Sequence, residues 1–201
     1  MAFGDPDRLP DDARPGTQAK VIPGGQGNGP MQIRAYHHEK EAIIPAPQSE
    51  VFAYLDDQTR LAAHMEKRSM MMLGGPMTYA FDAAQGRAVG SVIQMGEHFL
   101  GLSLFVEEVV TERTPPAHKI WETRGRQRLL IIDSYVMGFE TRDVAGRTST
   151  RIYIDYQLPS SLPGRWFGLL FAGVYARWCV SQMLDDTSRN FRLVAKPQAT
   201  T

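Results

Sequence analysis

Pro163-Gly164-Arg165-Trp166-Phe167-Gly168-Leu169-Leu170-Phe171-Ala172-Gly173-Val174-Tyr175-Ala176-Arg177-Trp178-Cys179-Val180, continued by Ser181 to Ala195, is the stretch on which the reading of the chain turns. It reads as one helix of about thirty residues carrying two apolar stripes. At about 100° per residue, Trp166, Leu169, Gly173, Ala176, Val180, Met183, Leu184, Thr187, Phe191 and Val194 fall on one face. Phe167, Phe171, Tyr175 and Trp178 fall on the opposite face, and Gln182, Asp185 and Arg189 continue their line. The first stripe has to bury itself, and a helix this long needs a broad curved sheet to lie on.

The residues before it supply that sheet. Ile33 to Ile44 reads as a strand, ended by Pro45-Ala46-Pro47. Pro47 suits the first position of a short amphipathic helix bearing Val51, Phe52 and Leu55 and running to about Asp56. Thr59 can cap a second short helix through about Lys67. Six further strands follow as Met77–Ala83, Ala88–His98, Leu102–Arg113, Lys119–Gly125, Leu129–Arg142 and Thr148–Leu158. Only turns separate them, among them Ala84-Gln85-Gly86-Arg87, Thr114-Pro115-Pro116 and Val144-Ala145-Gly146, so an antiparallel meander is expected. Thr150, Ile152, Ile154, Tyr156 and Leu158 alternate with Arg151, Tyr153, Asp155 and Gln157, the pattern of one buried and one wet face.

Outside residues 32–196 the expectation is disorder. Residues 1–31 are dense in Pro and Gly and nearly free of large apolar side chains, and residues 197–201 form a short tail. Gly24-Gly25-Gln26-Gly27-Asn28-Gly29 is no phosphate loop, because no strand precedes it, no Gly-Lys-Ser/Thr closes it and Pro30 blocks a helix start.

The 201 residues fit one domain with a real core, and 22 Lys plus Arg balance 22 Asp plus Glu. Such a chain has no net field to attract nucleic acid, and no basic stripe points to it. One cysteine, Cys179, excludes an internal disulfide. No secretory pattern opens the chain, and the longest apolar run, Trp166 to Ala176, is about half a bilayer span. A soluble cytoplasmic protein is expected. The five histidines, 37, 38, 64, 98 and 118, show no metal-ligand spacing, and no nucleophile elbow is present. No cofactor or metal is expected.

Element order and three segments resemble the START / Bet v1-like (SRPBCC) superfamily. Ile44-Pro45-Ala46-Pro47-Gln48-Ser49-Glu50-Val51-Phe52-Ala53-Tyr54-Leu55 looks like its opening strand-to-helix segment. Val109-Val110-Thr111-Glu112-Arg113-Thr114-Pro115-Pro116 looks like its strand-end turn, and Gly146-Arg147-Thr148-Ser149-Thr150 leading to Leu158-Pro159 looks like its last hairpin. The resemblance spans residues 33–195 and implies an α+β helix-grip fold. In it a seven-stranded antiparallel curved sheet wraps around the C-terminal helix, with two short helices after strand 1. Relatives with this look are polyketide cyclase/dehydrase or lipid-transport-like proteins. The resemblance implies a cavity between sheet and helix for a hydrophobic or aromatic lipid-, polyketide- or quinone-like molecule. It carries no universal catalytic motif, so binding alone and a cyclase/dehydratase reaction driven by a cavity acid or base both stay open.

Candidate residues follow from polar or aromatic groups in apolar contexts. Asp133 lies in Leu129-Leu130-Ile131-Ile132-Asp133-Ser134-Tyr135-Val136-Met137 and on a strand would share a face with Tyr135 and Met137. Facing a cavity it would be a desolvated acid partnered by Tyr135; facing outward it is a solvated carboxylate. His98, ending a strand, is a third candidate for acid–base work. Met72 (from the cluster Met65, Met70, Met71, Met72, Met77), Phe81, Trp121, Tyr135, Met137, Tyr156, Gly173 and Arg177 are expected at the ligand. Gly173 would mark a close approach of the helix to sheet or ligand, and Arg177 could meet a carboxylate. The outward stripe of Phe167, Phe171, Tyr175 and Trp178 needs a cover. A second copy, a membrane interface or a loop of the same chain could provide it.

Overall fold

The computed structural model describes residues 36–60, 78–99, 102–129 and 131–194. Seven strands, β1 (Tyr36–Ile44), β2 (Thr78–Phe81), β3 (Val92–Phe99), β4 (Leu102–Thr114), β5 (His118–Arg128), β6 (Ser134–Val144) and β7 (Arg147–Gln157), form one antiparallel sheet in the order β1-β7-β6-β5-β4-β3-β2. α1 (Gln48–Asp56) follows β1, and α2 (Leu162–Val194) closes the chain. A second helical turn begins at residues 58–60, and its expected course to Lys67 lies outside the described residues. So do the expected tails and Met72.

The strand pattern holds up, with two displaced boundaries. The β2–β3 connection is a loop rather than a tight turn, because the Asp82 carboxylate accepts hydrogen bonds from the Ala84 and Val92 amides and the Ser91 hydroxyl. β5 runs on to Arg128, and β6 begins at Ser134 instead of Leu129. Gly125 takes φ +73°, and the β4–β5 register shifts between Phe105 and Glu107. This bulge carries β5 further along β4 and leaves 129–133 as the connection to β6.

On the inner face, buried side chains alternate along the strands. Leu104, Val106, Glu108 and Val110 come from β4, Lys119, Trp121 and Thr123 from β5, Tyr135, Met137 and Phe139 from β6, and Ile152, Ile154 and Tyr156 from β7. α2 lies against this face, chiefly over β1 and β7. α1 packs Phe52 edge-on against Phe139. Its last residue, Asp56, receives Lys119 Nζ at 3.0 Å and a two-pronged guanidinium from Arg113 at 2.8–3.2 Å. Lys119 is wholly buried.

The helix faces need correction. Ala172, Tyr175, Ala176, Cys179, Val180, Met183, Leu184, Thr187 and Phe191 are buried, whereas Trp166 and Leu169 are 69% and 53% exposed. Tyr175, placed on the outward stripe by the sequence, is buried, and Trp178 packs partly on the core beside it. Phe171 is half-exposed, and the side chain of Phe167 lies outside what the structure describes. The expected contact stripe of four aromatics therefore does not exist as such. At 100° per residue, the buried face moves around α2 by about a quarter turn between its halves. The first half packs under Ile131, Leu158 and Pro159, the second against β1 and α1.

For Gly173 the expected close approach to the sheet is also corrected. A Cβ there would meet only the Tyr156 hydroxyl, at 3.6 Å, an ordinary contact. Gly168 is the close approach, since a Cβ there would lie 2.9 Å from the Ile131 carbonyl oxygen and 2.9 Å from the Leu158 side chain.

Gly173→Ala is therefore expected to be neutral or to stabilise by up to ~1 kcal/mol through helix propensity. Gly168→Ala should destabilise by about 1–3 kcal/mol through overpacking. Denaturant midpoints of the two variants check this, and the reverse order would place the tight contact elsewhere.

The ion-paired end of α1 gives a second test. Asp56→Ala leaves the Lys119 ammonium buried without its anion and should cost about 3–5 kcal/mol. Adding Lys119→Met should restore most of the loss. A double variant no more stable than the single one would show that Lys119 is not charged in the folded chain.

Candidate functional site

Leu104-Phe105-Val106-Glu107-Glu108-Val109-Val110 explains how an acid reaches the interior. Strand alternation puts Glu107 on the wet face, beside Gln94, and Glu108 between Val106 and Val110 on the buried one. Glu108 is 6% exposed. The Tyr135 hydroxyl donates a hydrogen bond to its carboxylate, and the Trp121 side chain hydrogen-bonds to it as well. Burial pushes the Glu108 carboxyl up to about 7, although Tyr135, Trp121 and the charge of Lys119 all pull it down.

The partners are themselves fixed. The Tyr135 amide donates to Thr123 Oγ1 at 3.2 Å, which locks the start of β6 onto β5. Lys119 Nζ sits 5.9 Å from the centroid of the Trp121 ring. A line of polar groups thus crosses the interior from Arg113 and Asp56, through Lys119 and Trp121, to Glu108 and Tyr135. From the helix side, Tyr175 and Cys179 lie within electrostatic reach of Glu108 and are hydrogen-bonded to each other. Burial holds the hydroxyls of Tyr135 and Tyr175 well above the usual phenol range and pushes the Cys179 thiol up to about 12. None of these three gives up a proton near neutral pH. Glu108 is the group of this cluster that titrates there.

The sequence-predicted residues divide accordingly. Trp121, Tyr135, Met137 and Tyr156 are buried in one cluster with the helix residues. Phe81, on β2, is half-buried and stacks on Tyr79. Gly173 faces Tyr156. Arg177 is exposed and lines a cleft of about 330 Å³ between β1 and α2, with His38, Lys40 and Ser181. Asp133 follows the outward alternative and not the cavity one, but on no strand: it sits exposed in the bend before β6, with its amide donating to the Gln157 carbonyl. Its run of apolar neighbours belongs to the connection that the β5 bulge creates. His98 is on β3 opposite Ser103, and its side chain lies outside what the structure describes.

Glu108 was not among the candidates, yet its signal was present. It is a carboxylate in phase with Leu104, Val106 and Val110 and out of phase with Glu107. Among the described residues, no group of three or more His, Cys, Asp or Glu is arranged to hold a metal ion. Among them, too, no helix is long and apolar enough to cross a membrane.

No family model matches the sequence, and no curated protein matches it either. Solved structures do. One from Thermus thermophilus has a TM-score of 0.57 at 13% identity, covering 80% of this chain and 100% of that one. A norcoclaurine synthase point mutant from Thalictrum, in complex with a transition-state analogue, has a TM-score of 0.55 at 11% identity, covering 80% and 96%. A Streptomyces aromatase/cyclase has a TM-score of 0.51 at 12% identity, covering 80% and 98%. With its curved seven-stranded sheet gripping a C-terminal helix, the chain has the helix-grip fold of the Bet v1-like (SRPBCC) proteins.

Proposed function

We propose that the chain binds a small, largely apolar or aromatic molecule between the inner face of the sheet and α2, and that Glu108 with Tyr135 supplies its polar contact. The observation that carries this reading is the Glu108 carboxyl, placed on an otherwise apolar strand face at a cost that an apolar residue would avoid. An apolar enclosure with few convergent polar groups is the usual form of a small-molecule site. Trp121, Tyr135, Met137 and Tyr156 line the same face as Glu108. The two enzymes that share the fold support a small organic molecule as the ligand class.

One observation favours a second reading, proton transfer on that ligand. A carboxyl at about 7 exists in both protonation states at neutral pH and can give or take a proton without large cost. The bound molecule would then be a substrate of the cyclase/dehydratase kind, with Glu108 as acid or base and Tyr135 positioning it.

Mass spectrometry of the natively purified chain identifies any co-purified molecule, and titration with an uncharged naphthalene dye measures the site directly. Tyr135→Phe and Glu108→Gln should each weaken dye or ligand binding by about 5- to 30-fold, the worth of one hydrogen bond to a charged or buried group. Unchanged affinity in both variants would move the site away from Glu108. If the second reading holds, Glu108→Gln abolishes turnover of the identified ligand while binding persists.

The buried acid also predicts a pH dependence. Its folded pKa, about 7, lies above the unfolded 4.5, so the unfolded chain releases the proton first as pH rises. The stability tied to the neutral carboxyl is complete below pH 4.5 and is lost as pH climbs through 7, by on the order of 3 kcal/mol. Glu108→Gln has no such proton. Its stability relative to the parent should rise by that order between pH 4 and 8 in paired denaturant titrations. A flat difference would mean that the Glu108 carboxyl titrates alike in the folded and unfolded chain, and a falling one that it is ionised in the fold at low pH.

A further inference from the structure

The first half of α2 turns large apolar side chains to solvent. Leu162, Trp166, Leu169, Leu170 and Val174 are 76%, 69%, 53%, 67% and 59% exposed. Trp166, Leu170 and Val174 follow at intervals of four and form one ridge along the helix. Arg165 and Arg177 bracket it, both exposed and neither paired to an acid among the described residues. Residues 162–178 contain no Asp or Glu. At its C-terminal end the ridge runs into the cleft that Arg177 shares with His38 and Lys40. Glu39 borders the same cleft, but Arg151 and His37 hold its carboxylate. Lys40 is paired to Asp185.

We propose that this ridge is a membrane-docking surface, and that its partner is the face of an anionic phospholipid bilayer. The ridge would enter the acyl–headgroup boundary while Arg165 and Arg177 meet phosphates and the cleft by Arg177 receives a headgroup. Charge decides between this partner and a second copy of the chain. Parallel pairing of two such helices sets each arginine against itself, and antiparallel pairing about Phe171 sets Arg165 of one copy against Arg177 of the other. An anionic surface neutralises both arginines at once. The proposal does not rest on the ligand reading, because no ridge residue belongs to the Glu108 cluster.

The test uses the full chain and vesicles of phosphatidylcholine, alone or with about a third phosphatidylserine. Binding to the anionic vesicles should be roughly tenfold or more tighter, should weaken as salt rises, and should shift tryptophan emission to the blue. Trp166→Phe should remove that shift. Leu170→Glu with Val174→Glu should abolish binding with the circular dichroism unchanged. Arg165→Gln with Arg177→Gln should erase the preference for anionic lipid. Should the glutamate pair unfold the chain, the arginine pair and the Trp166 signal still decide. No binding to anionic vesicles, equal binding to both kinds, or a dimer in light scattering that the same substitutions dissolve would overturn the proposal.

Discussion

Two cations stand side by side on neighbouring strands, and the structure depends on the anion placed between them. Arg113 of β4 and Lys119 of β5 are directly opposite in the ladder, an arrangement that repels unless something intervenes. Asp56, the last residue of α1, intervenes by accepting hydrogen bonds from both. Lys119 also donates to the Asp56 carbonyl, one of those left open at a helix C-terminus, where a cation is favoured by the helix dipole. Because Lys119 is fully buried, its charge cannot fall back on water. The position of α1 over the sheet follows from this constraint, with Phe52 against Phe139 and the Arg113 guanidinium over the Phe52 ring.

The same interior holds a second acid under opposite conditions. Burial raises the carboxyl of Asp56, but the hydrogen bonds and charges of Arg113 and Lys119 outweigh it, and its pKa ends below the usual carboxylate range. Glu108 has only neutral donors beside it and Lys119 at longer reach, so burial prevails and its pKa rises. Two acids whose surroundings drive them apart define two roles. One is a permanent counter-ion that holds the fold, and the other is a group that exchanges its proton near neutrality. The cation that settles the first is already committed to it and is not available to fix the second as a carboxylate.

Much of this was readable from the chain. Alternation in β7, Thr150 to Tyr156, gives the buried and wet faces that the structure shows, and the element order gives the grip around one long helix. Glu108 was readable by the same alternation, but a carboxylate pair at Glu107-Glu108 reads as solvated unless the phase is followed residue by residue. Asp133 misled for the converse reason. Its apolar neighbours suggest a strand, whereas the bulge at Gly125, a property of the β4–β5 pairing, turns the segment into a connection. The helix faces failed because a single period assumes one partner surface. α2 has two, and its buried face moves between them.

That change of partner also explains why inside and outside of α2 look inverted along its first half. Gly168, Ala172 and Ala176 face inward, and at Gly168 the added Cβ would be within 2.9 Å of a backbone oxygen. Small residues inside let the helix approach the end of β7 and the β5–β6 connection closely. They also bury little apolar area of their own, so the large side chains of this half have only the outer surface left. Tyr175 is the exception, and with Cys179, the next buried residue on, it lies within electrostatic reach of Glu108. A helix held close by small residues can thus bring Tyr175 and Cys179 to an interior acid while its back carries an apolar ridge. The interior cluster and the exposed surface are two consequences of one choice of residues along the same eighteen positions, 162–179.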